Sequence, residues 1–345
     1  MKLAILFGAA SYEHEISIVS AITVSKKLKQ FDLTYIFCDT DHQFYLIDSS
    51  ALKANYFSSK GYSSAPKLQL SMGAFVQKRR FSTIEHTMPV LNLIHGGDGE
   101  DGTISSLLEF YKIDYIGPRI DASVLSYDKR LTKMYAKSCG VKVLEHEEVS
   151  VMSSFEIKTQ MPFIIKPSRL GSSIGVSVVR EERELYYHLD VALEFDQSVI
   201  VEPFIENVKE YNLAGYRSKR GIVYSIVEEP QKGEILDFDK KYLDFSRESE
   251  VQSAPIHKTL KRNLEEAFER IYNTMFDGAL IRCDFFVIDD EIYLNEINSV
   301  PGSMSSYLFE DFGLCVQELL VALPKKKEIK IEYQYINSIN SAKGK

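Results

Sequence analysis

The chain has 345 residues, 45% of them hydrophobic and 26% charged, with a formal net charge of −8. Such a length outgrows a single core and predicts two or three domains, and the acidic balance argues against a nucleic-acid partner. No apolar run approaches the ~18 residues of a membrane span, and the cysteines (Cys38, Cys139, Cys283, Cys315) and seven histidines show no zinc-site or disulfide spacing, so buried free thiols are expected.

In chain order, "LAILF" (3–7) predicts a buried strand, and the turn-like "GAAS" leads into a helix from about Glu15 with Ile16, Val19, Ile22 and Leu28 on its apolar side. The apolar start superficially resembles an export signal. Acids follow at once and a first strand explains it, so a cytoplasmic chain is expected. "LTYIFCD" (33–39) and "FYLID" (44–48) read as strands, 52–88 as loops with one edge strand, and "PVLNLIH" (89–95) as a buried strand ending in "GGDGEDG". A helix from Thr103 to about Tyr111 and a short strand at "DYIG" follow. Alternating strands and helices imply an α/β unit with a mainly parallel sheet, whose ligands gather at the C-terminal ends of strands. "GAASYEHE" and "HGGDGED" both fall at such ends. "SYDKRLTKMYAKSCG" (126–140) reads as one helix closed by glycine. Beyond it come hairpin strands at 163–179, 198–205, 210–216, 222–229 and 281–299, with helices at about 182–194 and 257–275. The lysine-rich end is expected to be a last strand and a frayed tail.

Three stretches suggest chemistry. In "IRCDFFVIDDEIYLNEINS" (281–299), a hairpin with Asp289, Asp290 and Glu291 as its loop places Asp284 opposite Glu296 and Arg282 opposite Asn298, all on one face. Facing carboxylates repel unless something lies between them, and two carboxylates with an amide oxygen suit a hard cation such as Mg²⁺. The solvent-facing polar side of an edge hairpin is the competing explanation. In "FIIKPSRLGSSIGVSVV" a strand ending in Lys166 meets a loop where Gly171 and Gly175 allow close approach. Ser172, Ser173 and backbone N–H groups could hold phosphate there, or the loop is simply flexible. "HGGDGEDG" (95–102) is either a floppy turn or a backbone cradle. With Glu13, His14 and Glu15 nearby it would suit a small ligand's ammonium group, although acids at helix N-termini are the plainer explanation.

These stretches resemble one family over nearly the whole chain, the D-alanine–D-alanine ligases of the ATP-grasp superfamily. "FGAASYEHEISIVSA" resembles the opening G-G-x-S-x-E-H-x-x-S motif, "HGGDGEDGTISSLLE" the H-G-x-x-G-E-D-G element, and "YIGPRIDASVLSYDKRLTK" the central lead-in. "IIKPSRLGSSIGV" resembles the phosphate loop, "DKKYLD" the ω-loop lysine–tyrosine pair, and "RCDFFVIDDEIYLNEINSVPGS" the metal-binding signature. The resemblance implies a mixed α/β and α+β chain, an ATP-grasp fold with an N-terminal Rossmann-like (pre-ATP-grasp) α/β domain. Its division would be 1–100 for substrate binding, 101–185 for the central unit with the phosphate loop, and 186–345 for the C-terminal unit with the ω-loop and metal hairpin.

The activity implied is ATP-dependent joining of two D-alanines through an acyl phosphate, for peptidoglycan precursors. Two Mg²⁺ or Mn²⁺ ions per site would be held by Asp284, Glu296 and Asn298. Lys129, Lys166, Ser172, Ser173 and Lys241 would contact ATP phosphates, Glu210 the ribose, and Glu202 would lie near the adenine. Glu13 would hold the first substrate's ammonium, His95 and Glu100 would shape that pocket, and Gly302 and Tyr307 would meet the second substrate. Arg282 would stabilise the tetrahedral oxyanion. Ser172 and Tyr242 would link to Glu13 and close the ω-loop against water. A homodimer without nucleic-acid or membrane partners is implied as well.

Three positions depart from the family pattern. Ala9 stands where a second glycine is usual, Tyr307 where a serine commonly helps bind the second substrate's carboxylate, and Pro203 where a lysine often follows the adenine-side glutamate. A depsipeptide-forming relative that accepts D-lactate is the nearest alternative, disfavoured by the presence of Tyr242. Intact Arg282 and metal ligands disfavour a non-catalytic nucleotide sensor, and the lack of G-x-G-x-x-G disfavours an NAD-dependent oxidoreductase.

Overall fold

The computed structural model describes residues 1–150, 156–230, 251–273, 275–327 and 329–342. Three β-sheets organise them. The first has eight strands in the order β6-β5-β4-β3-β2-β1-β7-β8: β1 Lys2–Gly8, β2 Asp32–Cys38, β3 Phe44–Ile47, β4 Lys67–Ser71, β5 Ala74–Lys78, β6 Thr83–His86, β7 Val90–Asn92 and β8 Tyr115–Ile116. β1 is parallel to β2 and β7, and β7 to β8, whereas β2 through β6 form an antiparallel meander. Residues 52–88 therefore hold three strands where one edge strand was expected. Their sequence is uneven because burial is patchy: Leu68 and residues 74–77 are buried, while Lys67, Gln69, Ser71 and Lys78 are exposed. Helix α1, His14–Lys27, follows β1 and packs on the sheet through Ile18, Ala21 and Val24.

The helix expected over 126–140 is two helices, Ile120–Tyr127 and Lys129–Ser138. Asp128 leaves helical geometry (φ −94°, ψ 111°) and accepts the Arg130 N–H on its side chain, an N-cap that starts the second helix afresh. That cap sets Lys129 as the first residue of a turn aimed at the next sheet.

The second sheet, β11-β10-β12-β9, is antiparallel throughout and consists of β9 Glu147–Ser150, β10 Phe163–Pro167, β11 Ser177–Val179 and β12 Ser198–Pro203. The third, β14-β13-β15-β16, contains β13 Lys209–Ser218, β14 Gly221–Glu228, β15 Leu280–Ile288 and β16 Glu291–Asn298, backed by the helix Lys258–Tyr272. The sheets thus span 2–116, 147–203 and 209–298, reaching past the division points at residues 100 and 185. The end of the chain is a helix, Gln334–Ala342, in place of the expected strand, with Ile336 and Ile339 at a helical interval.

Leu3, Ile5 and Phe7 of β1 share one core with Tyr216, Leu280, Phe312 and Leu319, so the first and third sheets are packed into a common body. Leu264, Phe268, Cys283 and Phe285 form a second core behind the third sheet, joined by Ala136 of the helix after Asp128. The second sheet differs. Its core of Val149, Ile165, Leu189 and Val199 is drawn, among the described residues, from its own segment of chain alone. Cys38, Cys283 and Cys315 are buried free thiols, and Cys139 is a half-buried one.

Candidate active site

β15 and β16 place Arg282 opposite Asn298 and Asp284 opposite Glu296, the pairing expected from sequence, by a different route. The turn has two residues, Asp289 and Asp290, at φ 49° and 62°, the left-handed pair of a type I′ hairpin. Asn295 is an extra residue, a bulge between Leu294 and Glu296. The shorter turn and the added residue cancel at the site. Arg282 donates from Nε to Asp284 Oδ1 (2.6 Å) and from Nη2 to Oδ2 (2.8 Å), and Asn298 Nδ2 donates to the same Oδ2 at 3.0 Å. Burial pushes the Asp284 carboxyl up to about 7, opposed by Arg282 and reinforced by the nearby Glu296 and Glu210 charges.

This donor set is all oxygen and rich in negative charge, which fits Mg²⁺ or Mn²⁺. Among the described residues no three His, Cys, Asp or Glu side chains converge closely enough to hold a metal by themselves. A cation here would complete its shell from Asn298, water and bound phosphate, the usual habit of Mg²⁺.

Facing the hairpin are three lysines. Lys129 donates from Nζ to the carbonyl oxygens of Pro167 (3.1 Å) and Leu170 (2.5 Å). Lys166, on β10, lies 2.7 Å from Glu202 Oε2 and donates to Asn295 Oδ1 at 3.2 Å. Glu202, on β12 and only 1% exposed, is bound on its other oxygen by Lys133. Burial alone would raise the Glu202 pKa, but the Lys166 and Lys133 ammonium groups hold it down at about 2. Lys166 feels burial downward and Glu202 upward, and ends above its ordinary value. Lys129 ends below it, because burial outweighs the pull of Glu296 and Glu202. Two residues beyond the Leu170 carbonyl that Lys129 holds comes the Ser172–Ser173 turn, both residues at left-handed φ (55° and 58°), as in backbone anion cradles.

Glu13, buried just before α1, accepts a hydrogen bond from Ser172 Oγ at 2.5 Å. Two glycines press on its carboxylate. A Cβ on Gly96, itself at φ +66°, would lie 2.7 Å from Oε2, and one on Gly171 would lie 3.0 Å from Oε1. Burial and then the Glu100 charge push Glu13 up to about 7, against Ser172, His95 and Lys129. His95 stands between Glu100 Oε1 (3.8 Å from Nδ1) and Ser20 Oγ (2.8 Å from Nε2), and Ser20 Oγ also accepts the Ser303 N–H at 3.0 Å. Ser303 belongs to the turn Gly302–Leu308, whose residues 303–305 have φ of 47°, 55° and 46°. In the same turn Tyr307 donates its hydroxyl to Glu228 Oε2 at 3.1 Å, an oxygen held as well by Asn212 Nδ2. Ala9 is fully buried at φ +63°, a conformation that explains why glycine suits the position better.

Among the expected site residues, then, Glu13, His95, Glu100 and Ser172 form one cluster of contacts and charges, Lys129, Lys166 and Glu202 a second, and Arg282, Asp284 and Asn298 the hairpin face, with Glu210 and Glu296 acting on it through charge. Glu202, expected beside adenine, has both oxygens on lysines. Lys241 and Tyr242 lie outside the described residues. Lys133, Asn295, Glu228 and Ser20 are absent from the sequence expectation. Lys133 carried a usable signal, four residues after Lys129 and so on the same helix face.

Two family models match the chain: the N-terminus of D-ala D-ala ligase over residues 2–118 and its C-terminus over residues 138–323. The chain belongs to the D-alanine–D-alanine ligase family. It is 58% identical to the D-alanine–D-alanine ligase of Sulfurimonas denitrificans, with all of both chains covered. It is 55% identical to that of Campylobacter concisus, covering 100% of this chain and 99% of the relative. Among solved structures, the D-alanine–D-alanine ligase of Helicobacter pylori matches with a TM-score of 0.82 and 44% identity over 95% of this chain and 100% of the other. The VanG D-Ala:D-Ser ligase of Enterococcus faecalis matches with a TM-score of 0.75 and 25% identity, over 93% of this chain and 97% of that one. The ligase family has the ATP-grasp fold, and Lys166 of the second sheet meets the acidic hairpin of the third at Asn295.

Proposed function

We propose that this chain joins two D-alanines at the expense of ATP, giving D-alanyl-D-alanine, ADP and phosphate for peptidoglycan precursor synthesis in the cytoplasm. The observation that carries this is the Ser172–Glu13 hydrogen bond. It ties a phosphate-type loop on one sheet to a buried carboxylate on another, so that an ammonium-bearing substrate and a nucleotide phosphate would meet.

Glu13, ionised on binding, holds the ammonium of the first D-alanine and leaves its carboxylate toward the loop. A carboxylate oxygen attacks the γ-phosphorus, the bond to the ADP oxygen breaks, and an acyl phosphate remains. The free amine of the second D-alanine attacks the acyl carbon, the C–N bond forms, and the C–O bond to phosphate breaks with loss of a proton. Arg282 faces the oxyanion of that tetrahedral stage, a task for which one donor is worth roughly 3–4 kcal/mol. Lys129 and Lys166 exchange their carbonyl and carboxylate partners for phosphate oxygens. Asp284, Glu296 and Asn298 would hold a divalent ion, which would neutralise phosphate charge when bound. Lys241 and Tyr242 would complete the cover that keeps water from the acyl phosphate, and Gly302 and Tyr307 would border the second substrate.

The chain would divide into 1–100 for substrate binding, 101–185 with the phosphate loop and 186–345 with the ω-loop and metal hairpin, and a homodimer is expected from the family. Among the described residues no helix is long and apolar enough to cross a membrane. ATP-dependent phosphate release with D-alanine, L-alanine, or D-alanine plus D-lactate, each with and without Mg²⁺, tests the proposal, the product being identified by mass. Mg²⁺-dependent release with D-alanine alone, yielding the dipeptide, is expected. ATP binding without release on any substrate would move the assignment to a different ATP-grasp substrate or to a sensor.

A further inference from the structure

Lys133 has no direct part in the chemistry proposed above, yet among the described residues it is buried as deeply as any lysine, at 2% exposure. Its partner is Glu202, with the Leu144 carbonyl more distant at 3.5 Å. Glu202 bridges it to Lys166, 2.7 Å away on the other oxygen. A buried carboxylate between two ammonium groups can release one of them only if the other stays. Lys133 comes from the helix Lys129–Ser138, which packs into the core behind the third sheet through Ala136, whereas Glu202 and Lys166 belong to the second sheet. Lys166 also reaches Asn295, the bulge residue next to Glu296, so it stands where a phosphate between the two sheets would arrive.

We propose that Lys133 is a positioning residue for ATP: it keeps Glu202 compensated, so that Lys166 can leave that carboxylate and take a phosphate oxygen. Without Lys133, Lys166 is the sole cation on a buried carboxylate and is held back from the nucleotide. The inference rests on the ATP assignment above, with Lys133 acting through Glu202 and not on ATP itself.

The test is a double-mutant cycle on purified enzyme, with Lys133→Met, Glu202→Gln and the pair, read as KM for ATP, KM for D-alanine and thermal unfolding. Lys133→Met is expected to raise KM for ATP roughly tenfold, the scale on which loss of one charged partner acts, while KM for D-alanine stays within about twofold. In the Glu202→Gln background the same change should cost nothing further, because no carboxylate is left to trap Lys166. A lowered melting temperature with unchanged KM for ATP would overturn the proposal in favour of a purely structural ion pair. An equal rise in both backgrounds would overturn it in favour of direct contact between Lys133 and ATP. If Lys133→Met does not fold, the charge-balanced double variant is read against Glu202→Gln alone: an equal KM for ATP supports the proposal, and a further tenfold rise refutes it. Wild-type enzyme that neither binds nor hydrolyses ATP would instead remove the underlying assignment, an outcome the cycle keeps separate.

Discussion

Glu13 shows how a single carboxyl can be set against its own pocket until a ligand arrives. Its pKa moves from an ordinary 4.5 to about 7, through burial and the charge of Glu100. The folded protein therefore keeps a proton that the unfolded chain has released between those two values. Stability of the ligand-free protein should fall as pH rises from 4.5 to about 7 and level off above. The full shift corresponds to on the order of 3 kcal/mol. Glu13→Gln should therefore stabilise the free protein at pH 8 and leave it nearly unchanged at pH 4, while raising KM for the first D-alanine by two orders of magnitude or so, since a charge-assisted partner is lost. Thermal unfolding of both proteins at the two pH values checks the first part; a gap of equal size at both would mean that the carboxyl is not destabilised by its site. Glu296→Gln makes the complementary case on the hairpin. The variant should lose at least about a hundredfold in turnover, as loss of a metal-binding group does, with a melting temperature close to that of the wild type. Turnover near normal would remove Glu296 from the metal site.

At the scale of the element, the β15–β16 hairpin separates what orders the strands from what arms them. Asp289 and Asp290 form its turn at left-handed φ, where a residue with a side chain is strained. Asp290→Gly should stabilise the fold by about 0.5–1 kcal/mol, read as a higher melting temperature with kinetic constants unchanged, because the turn lies at the far end of the strands from Asp284. A fall in turnover would mean that the turn and the site are mechanically linked. The same hairpin shows what was legible in the sequence. The alternation of polar and apolar residues fixed the facing pairs Arg282–Asn298 and Asp284–Glu296, because one-sided burial determines register. The two-residue turn and the Asn295 bulge were not legible, since the polar "DDE" allows either loop length and a bulge leaves no compositional mark. Long periodic elements such as α1 and the helix Lys258–Tyr272 were visible for the same reason that the short strands of 67–86 were not: the former bury a full face and the latter only a few side chains. The motifs located Glu13, Lys166 and Ser172, but the contact of Ser172 with Glu13 joins residues 159 apart in sequence. Lys133 went unrecognised because a lysine on a polar helix is ordinarily exposed.

For the whole molecule, the consequence of three sheets with unequal cores is that one unit is joined to the rest through the site itself. The first and third sheets share apolar contacts, while the second keeps its own core. Among the described residues, what ties the second sheet to its neighbours is largely polar: Lys129 on Pro167 and Leu170, Lys133 on Glu202, Lys166 on Asn295, and Ser172 on Glu13, with the edge-to-face pair Tyr12–Phe195 (5.4 Å) beside them. Such contacts are individually modest in free energy, and those of Lys129, Lys166, Ser172 and Glu13 are made by groups to which the proposed function also gives a substrate. Binding of ATP and of D-alanine should therefore reinforce one another by bringing the same two units together. Gly171 is the position where this is tested most directly, because its backbone lies against the Glu13 carboxylate and a methyl group there would sit 3.0 and 3.1 Å from the two oxygens. Gly171→Ala should leave the ligand-free melting temperature nearly unchanged, since no core is disturbed. It should hold the second sheet back from the first and raise KM for the first D-alanine roughly tenfold, the loss expected for one charge-assisted hydrogen bond. The decisive measurement is ATP affinity by calorimetry with and without D-alanine: in the wild type D-alanine tightens ATP binding, and in the variant that tightening shrinks or vanishes. Undiminished coupling in Gly171→Ala would show that the units communicate by another route, and the Ser172–Glu13 contact would then be a consequence of closure and not its latch.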